Sequence, residues 1–273
     1  MSLESELKAL YHMVLAPIRG RSLAERLDSF YRGQAAGYDA FRKRLLHGRQ
    51  QLWTSLPVPA GGVWVDMGGG TAANLEYLGE SIQQLAQVYV VDLCAALLQV
   101  ARQRVAAHGW TNVAVIMADA AHFVPQEAAV DVVTFSYALT MMPDWFAALD
   151  RAWHLLRPGG RIGVVDFYVS RKYPEVGHRR HSWCARTCWP IWFSFDNVFP
   201  SPDHVAYLHR RFTPQHFSEH RAPMPYLPGV RVPYYCFIGE KPSHAAWPLP
   251  QCAAPQHSAS DSTRCSALAP RET

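Results

Sequence analysis

The chain has 273 residues, 49% of them apolar, which suits one α/β domain with an added segment and supports a sizeable buried core. Its 26 Lys and Arg against 22 Asp and Glu give +4, with basic flanks (nine against five over 1–60, eight against four over 171–221) around an acidic middle (five against ten over 61–170). The start, MSLESELKAL, has no apolar signal core, and no apolar run reaches the ~18–20 residues of a membrane span, so a soluble or peripheral protein is expected.

Residues 2–16 read as an amphipathic helix, with Leu3, Leu7, Leu10, Tyr11, Val14 and Leu15 at three-to-four spacing. Two further helices are predicted over 22–54, and Pro57, Pro59, Gly61 and Gly62 mark a turn. Strands then alternate with helices. The predicted strands are 63–67, 88–93, 112–119, 130–139 and 161–169, with helices after the first, over 94–108 and over 144–157. The turn RPGG (157–160) precedes the fifth strand. Apolar strands alternating with helices predict a doubly wound, mostly parallel α/β sheet covered on both faces, with its ligand at the strand carboxyl ends.

After residue 170 the pattern changes. Residues 181–199 hold three Trp and three Phe, with Pro190 expected to interrupt any helix. A short helix is predicted over 203–212 and a final strand over 230–239. The division that follows is an N-terminal helical lid over 1–56, a catalytic domain over 57–240 with a substrate- or membrane-facing segment over 171–221, and a disordered tail over 241–273. Cys184 and Cys188, near His178 and His181, lack a second pair at zinc spacing, so no metal is expected.

The central motif is Val65-Asp66-Met67-Gly68-Gly69-Gly70-Thr71, a strand passing through glycines into a helix. Glycines there let the backbone approach a ligand and take positive φ. No Lys-Ser/Thr closes the loop, so a phosphate-cradling nucleotidase loop is disfavoured. Ala73 stands where the third glycine of a dinucleotide fingerprint would fall. Asp66 would repel a pyrophosphate but suits the cationic methionine end of S-adenosylmethionine. Asp92, followed by Leu93, ends the second strand and can accept both ribose hydroxyls, or cap the next helix. Asp119-Ala120 ends the third strand and can accept the adenine amino group, unless Asp119 is a turn residue. Ser136 and Tyr137 end the fourth strand beside the reaction pocket.

These elements, in this order, resemble the class I methyltransferase superfamily over residues 61–170. A narrower likeness rests on YRGQAAGYDAFRKRLLHGRQ (31–50), VWVDMGGGTAANLE (63–76), VYVVDLCAALLQVARQR (88–104), SYALTMMPDW (136–145), IGVVDFYVS (162–170) and WFSFDNVF (192–199). These phrases resemble the diacylglyceryl-homoserine N-methyltransferase part of betaine-lipid synthases, over about 28–240. The resemblance implies S-adenosyl-L-methionine as cofactor and three methylations of a lipid-borne amine, giving diacylglyceryl-N,N,N-trimethylhomoserine. It also implies a partner activity, a 3-amino-3-carboxypropyl transferase, and a cytoplasmic enzyme peripheral to a membrane (the endoplasmic reticulum face in a eukaryote).

The growing cation would be stabilised by aromatic faces, for which Tyr31, Tyr38, Tyr137 and Tyr168 are candidates beside their ordinary packing role. Tyr31, Tyr38 and Tyr137 are taken as the catalytic candidates. His47 and Asp144 are proton acceptors by type only, and Asp144 also suits a helix cap. Trp183, Trp189, Trp192, Phe193 and Phe195, with Arg179, Arg180 and Arg186, suit a membrane interface or else a small second core. Other acceptors (a quinone precursor, a sterol, phosphoethanolamine) stay open. So do a non-catalytic methyltransferase-like module and, against Asp66 and the missing glycine, a nicotinamide oxidoreductase. No nucleic-acid partner is expected.

Overall fold

The computed structural model describes residues 24, 25, 28, 44–195, 197–225 and 229–243, all within one compact unit that ends at Ser243. The expected helix over 2–16, the tail beyond Ser243, Tyr31 and Tyr38 lie outside the described residues.

Seven strands form one sheet in the order β3-β2-β1-β4-β5-β7-β6. They are β1 (Val63–Met67), β2 (Gln87–Asp92), β3 (Val113–Met117), β4 (Val130–Ser136), β5 (Leu156–Phe167), β6 (Thr213–Pro223) and β7 (Arg231–Glu240). Strands β1 to β5 pair in parallel, and β7 runs antiparallel between β5 and β6. Around them lie α1 (Arg49–Ser55), a 3₁₀ stretch over Ala73–Gln84, α2 (Ala95–His108), α3 (Trp145–Leu155), α4 (Trp183–Ser194) and α5 (His204–Arg211). The chain reverses order after β3 by crossing to β4 beside β1, so the carboxyl ends of β1 and β4 open a crevice.

Strand alternation sorts the core into two layers. Val65, Met67, Val91, Val133 and Phe135 face α3 and α5, where Leu149 and Leu208 are fully buried. Trp64, Val88, Val90 and Val132 face α1 and the 3₁₀ stretch, against Trp53, Leu75 and Ile82. Trp53 stacks on Trp64 with ring centroids 5.0 Å apart. Residues 45, 46, 52, 53 and 56, within the expected lid, are therefore part of the core.

Four local expectations change. The helix after the glycines is a 3₁₀ stretch broken at Gly79. Strand β5 starts at Leu156, so RPGG lies within the strand's span and not ahead of it. Pro190 sits inside α4, which runs on to Ser194: one lost backbone bond does not end a helix whose remaining bonds hold. Strand β6 was not foreseen. Its sequence TPQHFSEHRAP is largely exposed at the sheet edge and shows no apolar alternation.

Candidate active site

A cavity of about 220 Å³ opens at the carboxyl ends of β1, β2 and β4. Its wall includes Gly68, Gly70, Asp92, Leu93, Asp119, Ala120 and Tyr137, seven of the residues singled out in the sequence. Met141, Met142 and Asp144 complete the far side.

The glycine loop is shaped by the strand beneath it. Gly68 and Gly69 donate to Val91 O at 2.8 and 3.1 Å, and Gly70 donates to Asp92 Oδ2 at 2.9 Å. Gly68 has φ 71°, and a Cβ there would stand 2.5 Å from that of Ala138. The loop thus needs a bare backbone at Gly68, where a side chain would collide with Ala138. Arg104 holds the loop from behind, with Nη1 donating to Thr71 O and Nε paired to Glu76 at 2.8 Å.

Asp92 has both of the roles weighed for it within reach. Its Oδ1 accepts from Cys94 N at 2.8 Å, at the start of α2, while the carboxylate also lines the cavity. Asp28 accepts from Ala96 N at 3.0 Å, a second carboxylate on that helix start. Asp119 makes a turn bond from Ala121 N at 2.9 Å and stands on the wall. Asp144 accepts from Ala147 N at 3.1 Å as the cap of α3 and reaches the same wall.

Three expected site residues do not reach the wall, and for the two that lie in strands, Asp66 and Ser136, parity is the reason. Asp66 shares the face of Trp64, so its carboxylate is buried beneath the loop and accepts from Thr134 Oγ1 at 2.8 Å. Thr134 in turn accepts from Trp64 Nε1 at 3.1 Å. Ser136 lies on that face too, and its hydroxyl accepts from Trp53 Nε1 at 3.0 Å, turned towards α1. Gly69 points towards Val90 and Asp66, not towards the cavity. These corrections leave Asp66 and Ser136 as supports of the site.

Tyr137 is on the wall but not idle. It holds φ 56°, rare for a bulky residue, and its phenol donates to His47 O at 2.7 Å. The ring meets the edge of Phe167 at 4.6 Å. Burial pushes its phenol well above the ordinary range, with nearby Asp166 adding to the shift. It stays a protonated donor that pins the segment before α1. Tyr168 lies off the wall, its hydroxyl donating to Glu219. The His47 ring bonds Arg44 O at 3.0 Å and does not line the cavity.

The residue that sequence reasoning missed is Asp166, near the end of β5 and fully buried. It accepts from Thr140 Oγ1 at 2.8 Å, Thr140 N at 3.2 Å and its neighbour Phe167 N at 2.8 Å. It thereby positions the turn Leu139–Met141, which carries Met141 to the cavity. The signal was its place in IGVVDFYVS, a carboxylate inside an otherwise apolar strand. Burial pushes Asp166 up to about 7 against the bonds from Thr140. Below the unfolded carboxyl value of ~4 the two states bind the proton alike. From there up to about pH 7 the folded state holds the proton and the unfolded state has lost it, so stability falls as pH rises. The expected loss is on the order of 4 kcal/mol. Asp166→Asn should flatten this fall; equal slopes of melting temperature against pH for the two proteins would refute it.

The model of the ubiE/COQ5 methyltransferase family matches residues 24–176, the span that holds the loop, both strand-tip carboxylates and the cavity. The chain belongs to this family. The family is one of methyltransferases. A relative from Cellvibrio japonicus, named ubiquinone/menaquinone biosynthesis C-methyltransferase UbiE, is 28% identical over 150 residues, which cover 53% of this chain and 60% of that protein. The protein of that name from Haemophilus ducreyi is 24% identical over 170 residues, 60% of this chain and 66% of its own. The chain thus spans under two thirds of the length of these curated relatives. The fold is shared with phosphoethanolamine N-methyltransferase 2 of Haemonchus contortus in complex with S-adenosyl-L-methionine. There the TM-score is 0.62 at 17% identity, over 83% of this chain and 61% of that one. It is shared too with the YcgJ protein of Bacillus subtilis, at TM-score 0.59 and 14% identity, over 72% of this chain and 100% of that one.

The pocket fits the cofactor of this class on its own features. Gly68 and Gly70 present bare backbone to the cavity, and the wall carries Asp92, Asp119 and Asp144 with no Lys or Arg among its described residues. A negative lining suits a sulfonium cation.

Proposed function

We propose that the chain is an N-methyltransferase of a lipid-borne amine, with diacylglyceryl homoserine as acceptor and its trimethylated betaine as product. The observation that supports it is the charge of the cavity wall, three carboxylates unaccompanied by Lys or Arg among the described residues. Such a wall attracts two cations, the sulfonium and an ammonium acceptor, and disfavours a phenolate. When bound, S-adenosylmethionine supplies a methyl group already activated by its positive sulfur.

The chain's own residues then have two tasks, alignment and removal of the amine proton. Asp92, anchored by Gly70 N and Cys94 N, keeps lone pairs on each oxygen for ribose hydroxyls. Asp119, on the same wall, is the proposed acceptor for the adenine amino group. Asp144 is the wall carboxylate left for the incoming ammonium. Asp166, through Thr140, fixes the turn that carries Met141 to the cavity. Each methylation leaves more lasting charge on nitrogen, which the Tyr137 face would stabilise, with Tyr31 and Tyr38 as the further candidates from the sequence. The reading implies a separate 3-amino-3-carboxypropyl transfer to diacylglycerol that supplies the acceptor.

A second reading, C-methylation of a prenylated quinol, is favoured by the names of the curated relatives. Mass analysis of the full chain with cofactor and either acceptor in micelles separates the two. Diacylglyceryl homoserine should gain up to three methyl groups while the quinol gains none. A gain on the quinol alone would move the acceptor to that class.

A further inference from the structure

Helix α4 is turned the opposite way from the other helices. Phe193 is its one buried residue among those described. Cys184, Cys188, Ile191 and Phe195, spaced four, three and four apart, form a stripe that faces outwards, and Trp192 borders it. Ile191 is 58%, Trp192 47% and Phe195 68% exposed, and Trp183 at the helix start is 70% exposed. A surface helix normally hides such a stripe, so its exposure marks a face that something covers.

Basic groups gather in the segment that leads into this helix. The segment 171–195 holds Arg171, Lys172, Arg179, Arg180 and Arg186 against Glu175 alone. Arg171 is engaged with Asp203 at 2.6 Å. Lys172 and Arg180 lie over the exposed ring of Tyr173, at 5.3 and 5.7 Å. Exposed aromatics with cations beside them match the headgroup layer of an anionic bilayer, where rings sit at headgroup depth and cations meet phosphate.

The opposite, inner side of the helix connects to the cavity through one layer of side chains. On the inner side of α4, Phe193 stacks on Phe167 at 4.8 Å, and Phe167 meets Tyr137 on the cavity wall. Just beyond the helix, Phe199 N donates to Thr140 O at 2.7 Å, at the turn that carries Met141. Among the described residues no helix is long and apolar enough to cross a membrane, so contact through α4 would be at the surface.

We infer that the outer face of α4, with Lys172, Arg179 and Arg180, docks the protein on the surface of an anionic phospholipid membrane. This deepens the reading of a two-tailed lipid acceptor and rests on it only for the purpose of docking. The test is flotation of the full chain with vesicles of phosphatidylcholine alone and of three parts phosphatidylcholine to one part phosphatidylglycerol, without acceptor. The protein should float with the anionic vesicles, less so at high salt. The triple variant Ile191→Ser, Trp192→Ser, Phe195→Ser should lose at least about tenfold in vesicle partition, with cofactor affinity unchanged. Arg179→Ala with Arg180→Ala should weaken binding to anionic vesicles severalfold and flatten its salt dependence. Wild type that fails to float, or a triple variant that floats equally, overturns the docking face. So does a wild-type dimer that the triple variant makes monomeric with no vesicle binding in either. Methyl transfer to an acceptor in micelles without flotation would sink the docking face alone. Flotation without transfer to the amine lipid would sink the acceptor alone.

Discussion

Gly68→Ala should lower stability by about 2–5 kcal/mol and remove measurable cofactor binding. Two separable costs add here. The left-handed backbone at φ 71° is worth about 1–2 kcal/mol against any residue with a Cβ. The new methyl would also stand 2.5 Å from Ala138 Cβ, an overpacking of about 1–3 kcal/mol. The melting temperature should drop by roughly 5–15 °C, read by calorimetry. Ala138→Gly in the same chain removes the clash and leaves the backbone strain, so it should restore only part of the loss. A Gly68→Ala protein that melts with the wild type and binds S-adenosylmethionine equally would mean that the loop does not cradle the cofactor.

Asp92→Ala should weaken S-adenosylmethionine binding by roughly 10- to 150-fold, the worth of about 1.5–3 kcal/mol for hydrogen bonds to a charged group. The substitution strips an acceptor from Gly70 N and from Cys94 N, so the loop and the start of α2 loosen together. Capping alone predicts about 1 kcal/mol of stability lost and little change in affinity once folded. Asp92→Asn tells the roles apart. Its amide offers one oxygen, so one of the two backbone donors would face an N–H group. It should fall between wild type and Asp92→Ala in stability but close to Asp92→Ala in affinity. Calorimetric titration with the cofactor measures both variants; wild-type affinity in Asp92→Ala would remove the ribose role.

The parts of this site that were legible in the sequence are those set by local backbone chemistry. A run of glycines after an apolar strand can serve few conformations, and a carboxylate at a strand tip has the same neighbours however the sheet is assembled. So Gly68, Gly70, Asp92 and Asp119 share one cavity wall. Direction was harder. Asp66 and Ser136 are in the right strands, yet the two-residue period turns both towards the Trp53 and Trp64 layer. Choosing the correct face needs the identity of the packed helix, which strand composition does not state.

By itself the sequence determined the alternation of strands and helices, the bend after β1 and the acidic tips of β2 and β3, because each follows from periodicity and backbone freedom over a few residues. Tertiary structure alone decided the rest. Strand β6 exists because β7 offers it an edge, despite a polar sequence without a period. Asp166 acquires its place because Thr140, 26 residues earlier, folds over it. The stripe on α4 faces outwards because Phe193, on the opposite side, is the residue that meets Phe167. In each case the energy comes from contacts between segments far apart in the chain, which no local pattern encodes.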